Sequence, residues 1–196
     1  MMNMGKPQRV GEAAAMEKYF KKEGIPVIGH IASPASHEGG DSVWIDENTL
    51  AIAHSFRTNP DGIKKMQAYA GSDFEIIPYG LPYWNGPEEC LHIMSFISPV
   101  DKDLAVVYSK QMPIPFREDL IRRGYKFVEV PDSEYATFGP NVLAVAPRVV
   151  VVPSGNPIIS QRLKDAGCDV YEYPSADITH KGGGGPTCLT RALERE

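Results

Sequence analysis

Residues 42–80, SVWIDENTLAIAHSFRTNPDGIKKMQAYAGSDFEIIPYG, decide how the rest of the chain is read. Two short apolar runs flank a D-E-N-T turn, a helical pattern begins near Pro60, and FEIIPYG closes the stretch as a third strand. The order is strand, strand, helix, strand. It recurs in IMSFISPVDKDLAVVYS, IPFREDLIRRG and YKFVEVP, with a D-K-D turn and Gly124 closing the helix. It recurs again in NVLAVAPRVVVVPS, NPIISQRLKDAG and CDVYEYP, with Gly167 in the same role. Each unit has a proline just ahead of or inside the first helical turn, Pro60, Pro115 and Pro157, where a missing N–H costs nothing. Starts about 50 residues apart fall within the range of radial repeat architectures.

The flanks are unequal. Residues 11–22 read as a helix and GIPVIGHI (24–31) as a strand, the back half of a unit, whereas GGGGPTCLTRAL (182–193) reads as the front of another. A radial array left open would expose strand edges and apolar helix faces. The expectation is therefore one α/β-propeller domain over residues 1–196, with its first segment absent.

Composition narrows the function classes. With 196 residues, 42% hydrophobic and 23% charged, the chain is long enough for one good core and short for two domains. A formal net charge of -5 provides no basic footprint, so neither nucleic acid nor an anionic membrane is expected as a partner. There is no apolar run of spanning length and no apolar signal region at the start, so a cytoplasmic location is expected. Cys90, Cys168 and Cys188 are too few and too irregular for a disulfide framework and read as free thiols.

A polar residue that the hairpin does not need stands at or just before the first strand of each unit. These are Glu38 in HEGGD, His92 in CLHIMSF, Asn141 in GPNVLA and Cys188 in GPTCLT, at spacings of 54, 49 and 47. Equivalent positions around a pseudo-symmetry axis would converge on one pocket. A carboxylate, an imidazole, an amide and a thiol suit nucleophilic catalysis: a thiolate attacks, and histidine protonates a leaving amine and then deprotonates water. The four glycines before Cys188 would let backbone approach a reacting carbon closely. Each residue also has an ordinary role, since cysteine often fills core space, a histidine in an apolar run is often a satisfied core residue, and EGGD can be only a turn. Lys181 precedes the glycines and no G-K-[ST] follows, so a P-loop is not indicated, and no metal-ligand spacing occurs.

HEGGD ahead of a hairpin, SFRTN at its end, a histidine opening a later strand and GGGGPTCLTR near the C-terminus together resemble the guanidine-modifying superfamily. Its members include arginine deiminases, dimethylarginine dimethylaminohydrolases and amidinotransferases, which share a five-bladed α/β propeller. The resemblance implies Cys188 as nucleophile, His92 as general acid/base and Glu38 as the active-site glutamate. It also implies a substrate-binding set of Arg57, Asp41 and Asn141, with Arg57 clamping an α-carboxylate. His92-Ile93-Met94 lacks the H-x-D aspartate of deiminases and amidinotransferases and so resembles the dimethylarginine branch. The family's R-D motif would lie upstream of MGKP. The activity implied by the resemblance is that of a hydrolase cleaving a guanidinium C–N bond of arginine or N-methylated arginine, giving citrulline. Its partner would be a small guanidino substrate, with no cofactor or metal. An amidinotransferase and a catalytically inactive binding propeller remain the alternatives, and a homo-oligomer is compatible with all three.

Overall fold

The computed structural model describes residues 1–193, which form an α/β fold of three separate three-stranded sheets. The chain divides into two compact units, Met1–Ile93 and Met94–Glu196. In the first, α1 (Val10–Lys22) precedes β1 (Ser42–Asp46), β2 (Thr49–His54), α2 (Pro60–Ala70) and β3 (Glu75–Gly80). The second holds β4 (Ile97–Asp101), β5 (Leu104–Val107), α3 (Ile114–Arg122), β6 (Lys126–Glu129) and the short α4 (Asp132–Tyr135). It continues with β7 (Leu143–Ala146), β8 (Val149–Pro153), α5 (Pro157–Asp165), β9 (Asp169–Tyr173) and the short α6 (Pro186–Leu189).

The repeat extends to the register. In every sheet the first two strands run antiparallel and the third joins the second in parallel, as a strand–helix–strand crossover requires. Each hairpin slips register at the same offset before its turn, between Trp44 and Asp46, Pro99 and Asp101, and Ala144 and Ala146. Gly71, Gly124 and Gly167 follow the three main helices at φ of +56°, +87° and +82°, where a side chain would be strained. Asn59 caps α2 by accepting the Gly62 N–H at 2.8 Å, and the Glu134 carboxylate accepts Ile158 N–H (2.7 Å) and Ile159 N–H (2.8 Å) at the start of α5.

The three main helices bury apolar residues, Ile63 in α2, Phe116 and Leu120 in α3, and Ile159 and Leu163 in α5. In the first unit Leu50, Ile52 and Ile63 form a closed cluster, with Met66, Phe74 and Ile76 packed on it. Each such side chain removed from water contributes about 1.5–3 kcal/mol. In the second, Phe96 and Phe116 are fully buried and meet edge-on at 6.4 Å. The buried Ser98 of β4 ties the segment leading into β7, donating to Pro140 C=O at 2.7 Å and accepting Val142 N–H at 3.1 Å.

One expected element is absent. GIPVIGHI is irregular rather than a strand. Pro26 has no N–H, and the segment finds no strand to pair with: Ile31 N–H goes to Met1 C=O and His30 N–H to the Tyr69 hydroxyl. Extended backbone without a ladder is not a β-strand. Among the described residues, no helix is long and apolar enough to cross a membrane.

Candidate active site

In the first unit the site forms where β1 begins and β2 ends. The Ser42–Ile52 pairing sets residues 37–41, which lead into β1, beside residues 54–58, which leave β2. The Glu38 side chain is almost fully buried and ringed by donors. Its Oε2 lies 2.9 Å from His92 Nε2 and 3.6 Å from Arg9 Nη1. Its Oε1 lies 3.4 Å from Arg57 Nη1 and accepts the Gly5 and Lys6 N–H groups at 3.0 and 3.3 Å. Burial alone would push this carboxyl pKa up. The His92 hydrogen bond and the charges of His92, Arg57 and Arg9 outweigh it and hold the pKa at about 2.

His92 shows the reciprocal effect. Burial would favour its neutral form, but contacts with the Cys90 sulfur and Glu38 and the charge of Asp41 push its pKa up to about 10. At neutral pH it is an imidazolium, an acid with a proton to give. Its ring packs on Gly40, where an added Cβ would stand 2.4 Å from Nδ1, so only glycine fits there.

Arg57 is 5% exposed, with its guanidinium held against the buried Glu38 carboxylate. Asp41 is fully buried; its carboxylate accepts the Ser55 hydroxyl at 2.6 Å and the Ile93 N–H at 3.3 Å. Both therefore reach the Glu38–His92 pair, Arg57 by its guanidinium and Asp41 through the backbone next to His92.

The second unit carries the other two expected residues. The Asn141 Oδ1 accepts both the N–H (3.0 Å) and the hydroxyl (2.8 Å) of Thr187, which aims its amide at Cys188 and places Nδ2 3.2 Å from Sγ. Cys188 is exposed and lies in α6. The glycine run has a steric reason. An added Cβ at Gly184 would meet Cys188 Cβ at 2.9 Å, and one at Gly185 would meet Asn141 Cγ at 2.4 Å. Bare backbone lets the amide and the thiol come together.

Several participants escaped the sequence reading. Cys90 is exposed, with its sulfur 3.6 Å from His92 Nδ1. Arg9 gave no motif signal, and His37 is a fully buried neutral histidine whose pKa is lowered to about 4 by burial and by the charge of His92. Among the described residues, no group of three or more His, Cys, Asp or Glu is arranged to hold a metal ion.

Residues 1–195 match the family model described as N,N dimethylarginine dimethylhydrolase, eukaryotic. The chain is 29% identical over 195 residues to the protein YkgA of Bacillus subtilis, covering 100% of this chain and 64% of that one. It is 23% identical over 211 residues to an arginine deiminase of Listeria welshimeri, covering 90% of this chain and 52% of the deiminase. The chain thus spans between half and two thirds of the length of these relatives. Among solved structures, the dimethylarginine dimethylaminohydrolase of Pseudomonas aeruginosa complexed with citrulline superposes with a TM-score of 0.76 at 19% identity, over 94% of this chain and 67% of that one. The substrate-bound N-terminal domain of a cyanobacterial arginine dihydrolase gives 0.84 at 19% identity, over 100% of this chain and 70% of that one. At such identities the structural likeness establishes the α/β fold.

Proposed function

This chain belongs to the N,N dimethylarginine dimethylhydrolase family, within the guanidine-modifying superfamily, and from that premise we propose that it hydrolyses a guanidinium C–N bond of arginine or an N-methylated arginine. In this reading Cys188 Sγ bonds to the guanidinium carbon, the C–N bond breaks, and the departing amine takes the proton of the His92 imidazolium. Water then gives a proton to His92 as its oxygen bonds to the same carbon, and Cys188 leaves as thiolate, releasing the ureido product, citrulline. Asn141 steadies the sulfur, and Glu38 holds His92 oriented and charged. Arg57 has one nitrogen on Glu38 and clamps the substrate α-carboxylate with the rest of its planar fork. Asp41 serves the substrate pocket through the backbone it holds. The domain is read as a five-bladed α/β propeller of which the three observed sheets are blades.

The observation that carries this reading is the Glu38–His92 pair at 2.9 Å, which keeps a nearly buried histidine protonated where a leaving amine would need a proton. The experiment is citrulline formation by the full-length natural protein from arginine, methylated arginines and agmatine, with Cys188→Ala and His92→Ala as controls. Turnover of an arginine that both substitutions abolish, with a thioether-linked adduct on Cys188 in the mass spectrum, is the expected outcome. Met94 offers a softer wall than an aspartate, so a methylated arginine should be preferred, by a margin of about 1–3 kcal/mol for one methyl contact. Turnover of agmatine and of no arginine would remove the clamp assigned to Arg57. Inactivity on every guanidine tested would leave a binding module.

A further inference from the structure

His37 has no part in the chemistry just described, yet its imidazole is completely buried. Its Nε2 lies 2.9 Å from Ser42 Oγ and its Nδ1 3.2 Å from Thr58 Oγ1. Thr58 Oγ1 also accepts the Glu38 N–H at 3.3 Å. A hydroxyl has one proton to give and two lone pairs to accept with. Thr58 Oγ1 spends one lone pair on the Glu38 N–H and shares a second hydrogen bond with His37 Nδ1. A neutral imidazole serves both hydroxyls, one ring nitrogen donating and the other accepting.

The network continues beyond Thr58. Asp41 takes the Ser55 hydroxyl and the Ile93 N–H, and Ser55 Oγ in turn accepts the N–H groups of Arg57 (2.9 Å) and Thr58 (3.1 Å). Each of Glu38, Arg57 and His92 therefore either has its own backbone bonded into this network or is the chain neighbour of a residue that has. Three loops far apart in sequence are pinned by one buried polar cluster, with His37 at its base.

We propose that His37 is a positioning residue, a neutral imidazole that fixes Thr58 and, through Ser55, Asp41, and by way of them the alignment of Glu38, Arg57 and His92. The proposal rests on the hydrolase reading for its effect on rate, but the alignment itself can be read without turnover.

The test uses the full-length protein with His37→Phe, which removes both polar contacts, His37→Asn, which keeps a hydrogen-bonding amide near the Nδ1 position, and Thr58→Val, which removes only the hydroxyl. Two readouts separate the questions. In the first, the titration of the His92 ring protons is followed by NMR. His37→Phe and Thr58→Val should lower its midpoint by about one pH unit or more, while His37→Asn stays near the parent. In the second, His37→Phe should lower kcat by about a hundredfold, as a misplacement near 1 Å does, with a smaller change in KM, and His37→Asn should recover most of it. An unmoved His92 titration in folded His37→Phe and Thr58→Val protein overturns the proposal whatever the activity. If His37→Phe fails to fold, Thr58→Val decides by the same measure. A parent protein that turns over no guanidine, yet shows the His92 shift in the variants, would sink the hydrolase reading and leave the positioning role standing.

Discussion

A buried histidine and a buried carboxylate in one small site make stability fall at low pH, while a second, charged histidine makes it fall at high pH. The folded pKa of His37, about 4, lies below its ordinary 6.5. Its stabilising contribution is complete above pH 6.5 and is lost as pH falls toward 4, a loss of about 3 kcal/mol at 1.36 kcal/mol per unit. Glu38 behaves likewise at lower pH: its contribution is complete above 4.5 and is lost toward 2. His92, raised to about 10, contributes fully below 6.5 and loses that contribution as pH climbs through its folded value. Urea denaturation across this range should therefore give its highest midpoint near pH 6.5 and fall on both sides. In His37→Asn the decline between pH 6.5 and 4.5 should flatten, and an unaltered acid limb there would contradict the assignment of that limb to His37.

The hairpins, helices and parallel third strands were legible because each rests on local chemistry: alternating apolar residues, a proline in the first helical turn, a glycine that only a left-handed cap requires. GIPVIGHI misled because its apolar content resembles a strand while strand formation depends on a partner that no local pattern can supply. The start of α5 shows the same limit in reverse, since its cap is not a neighbouring Ser or Asn side chain but Glu134, more than twenty residues upstream and 4% exposed. Removing that carboxylate strands two helix N–H groups in a place water barely reaches. Glu134→Ala should cost about 3 kcal/mol, at the upper end for loss of charge-assisted bonds. That corresponds to roughly 6–12 °C in Tm for a protein of this size, and Glu134→Gln, which keeps one acceptor, should cost less. Calorimetry showing no change in Glu134→Ala would mean that those N–H groups have other partners.

Across the whole chain the candidate residues could be singled out as types and spacings, because Glu38, His92 and Asn141 each stand shortly before the first strand of a unit and Cys188 follows the glycine run. Their pairings could not, since nothing in the order of residues says that Arg9 leans on Glu38 or that Cys90 faces His92. The consequence is visible in thiol labelling. Cys168 is buried, with its pKa raised by that burial, and should react slowest with iodoacetamide, whereas Cys90 and Cys188 are both exposed and should both label. A guanidino ligand should then protect Cys188 much more than Cys168; mass spectrometry finding Cys188 equally labelled with and without ligand would speak against its place at the substrate. The hairpin slips have a consequence of another kind. Trp44–Leu50, Pro99–Ala105 and Ala144–Val150 are paired at one common separation, with the turn after the same displaced residue; the third tip departs at Arg148, which turns at φ +60°, so the first two tips are interchangeable parts. A chimera carrying the tip 101–104 in place of 46–49 should splice without shifting either strand, as copies of one ancestral module would.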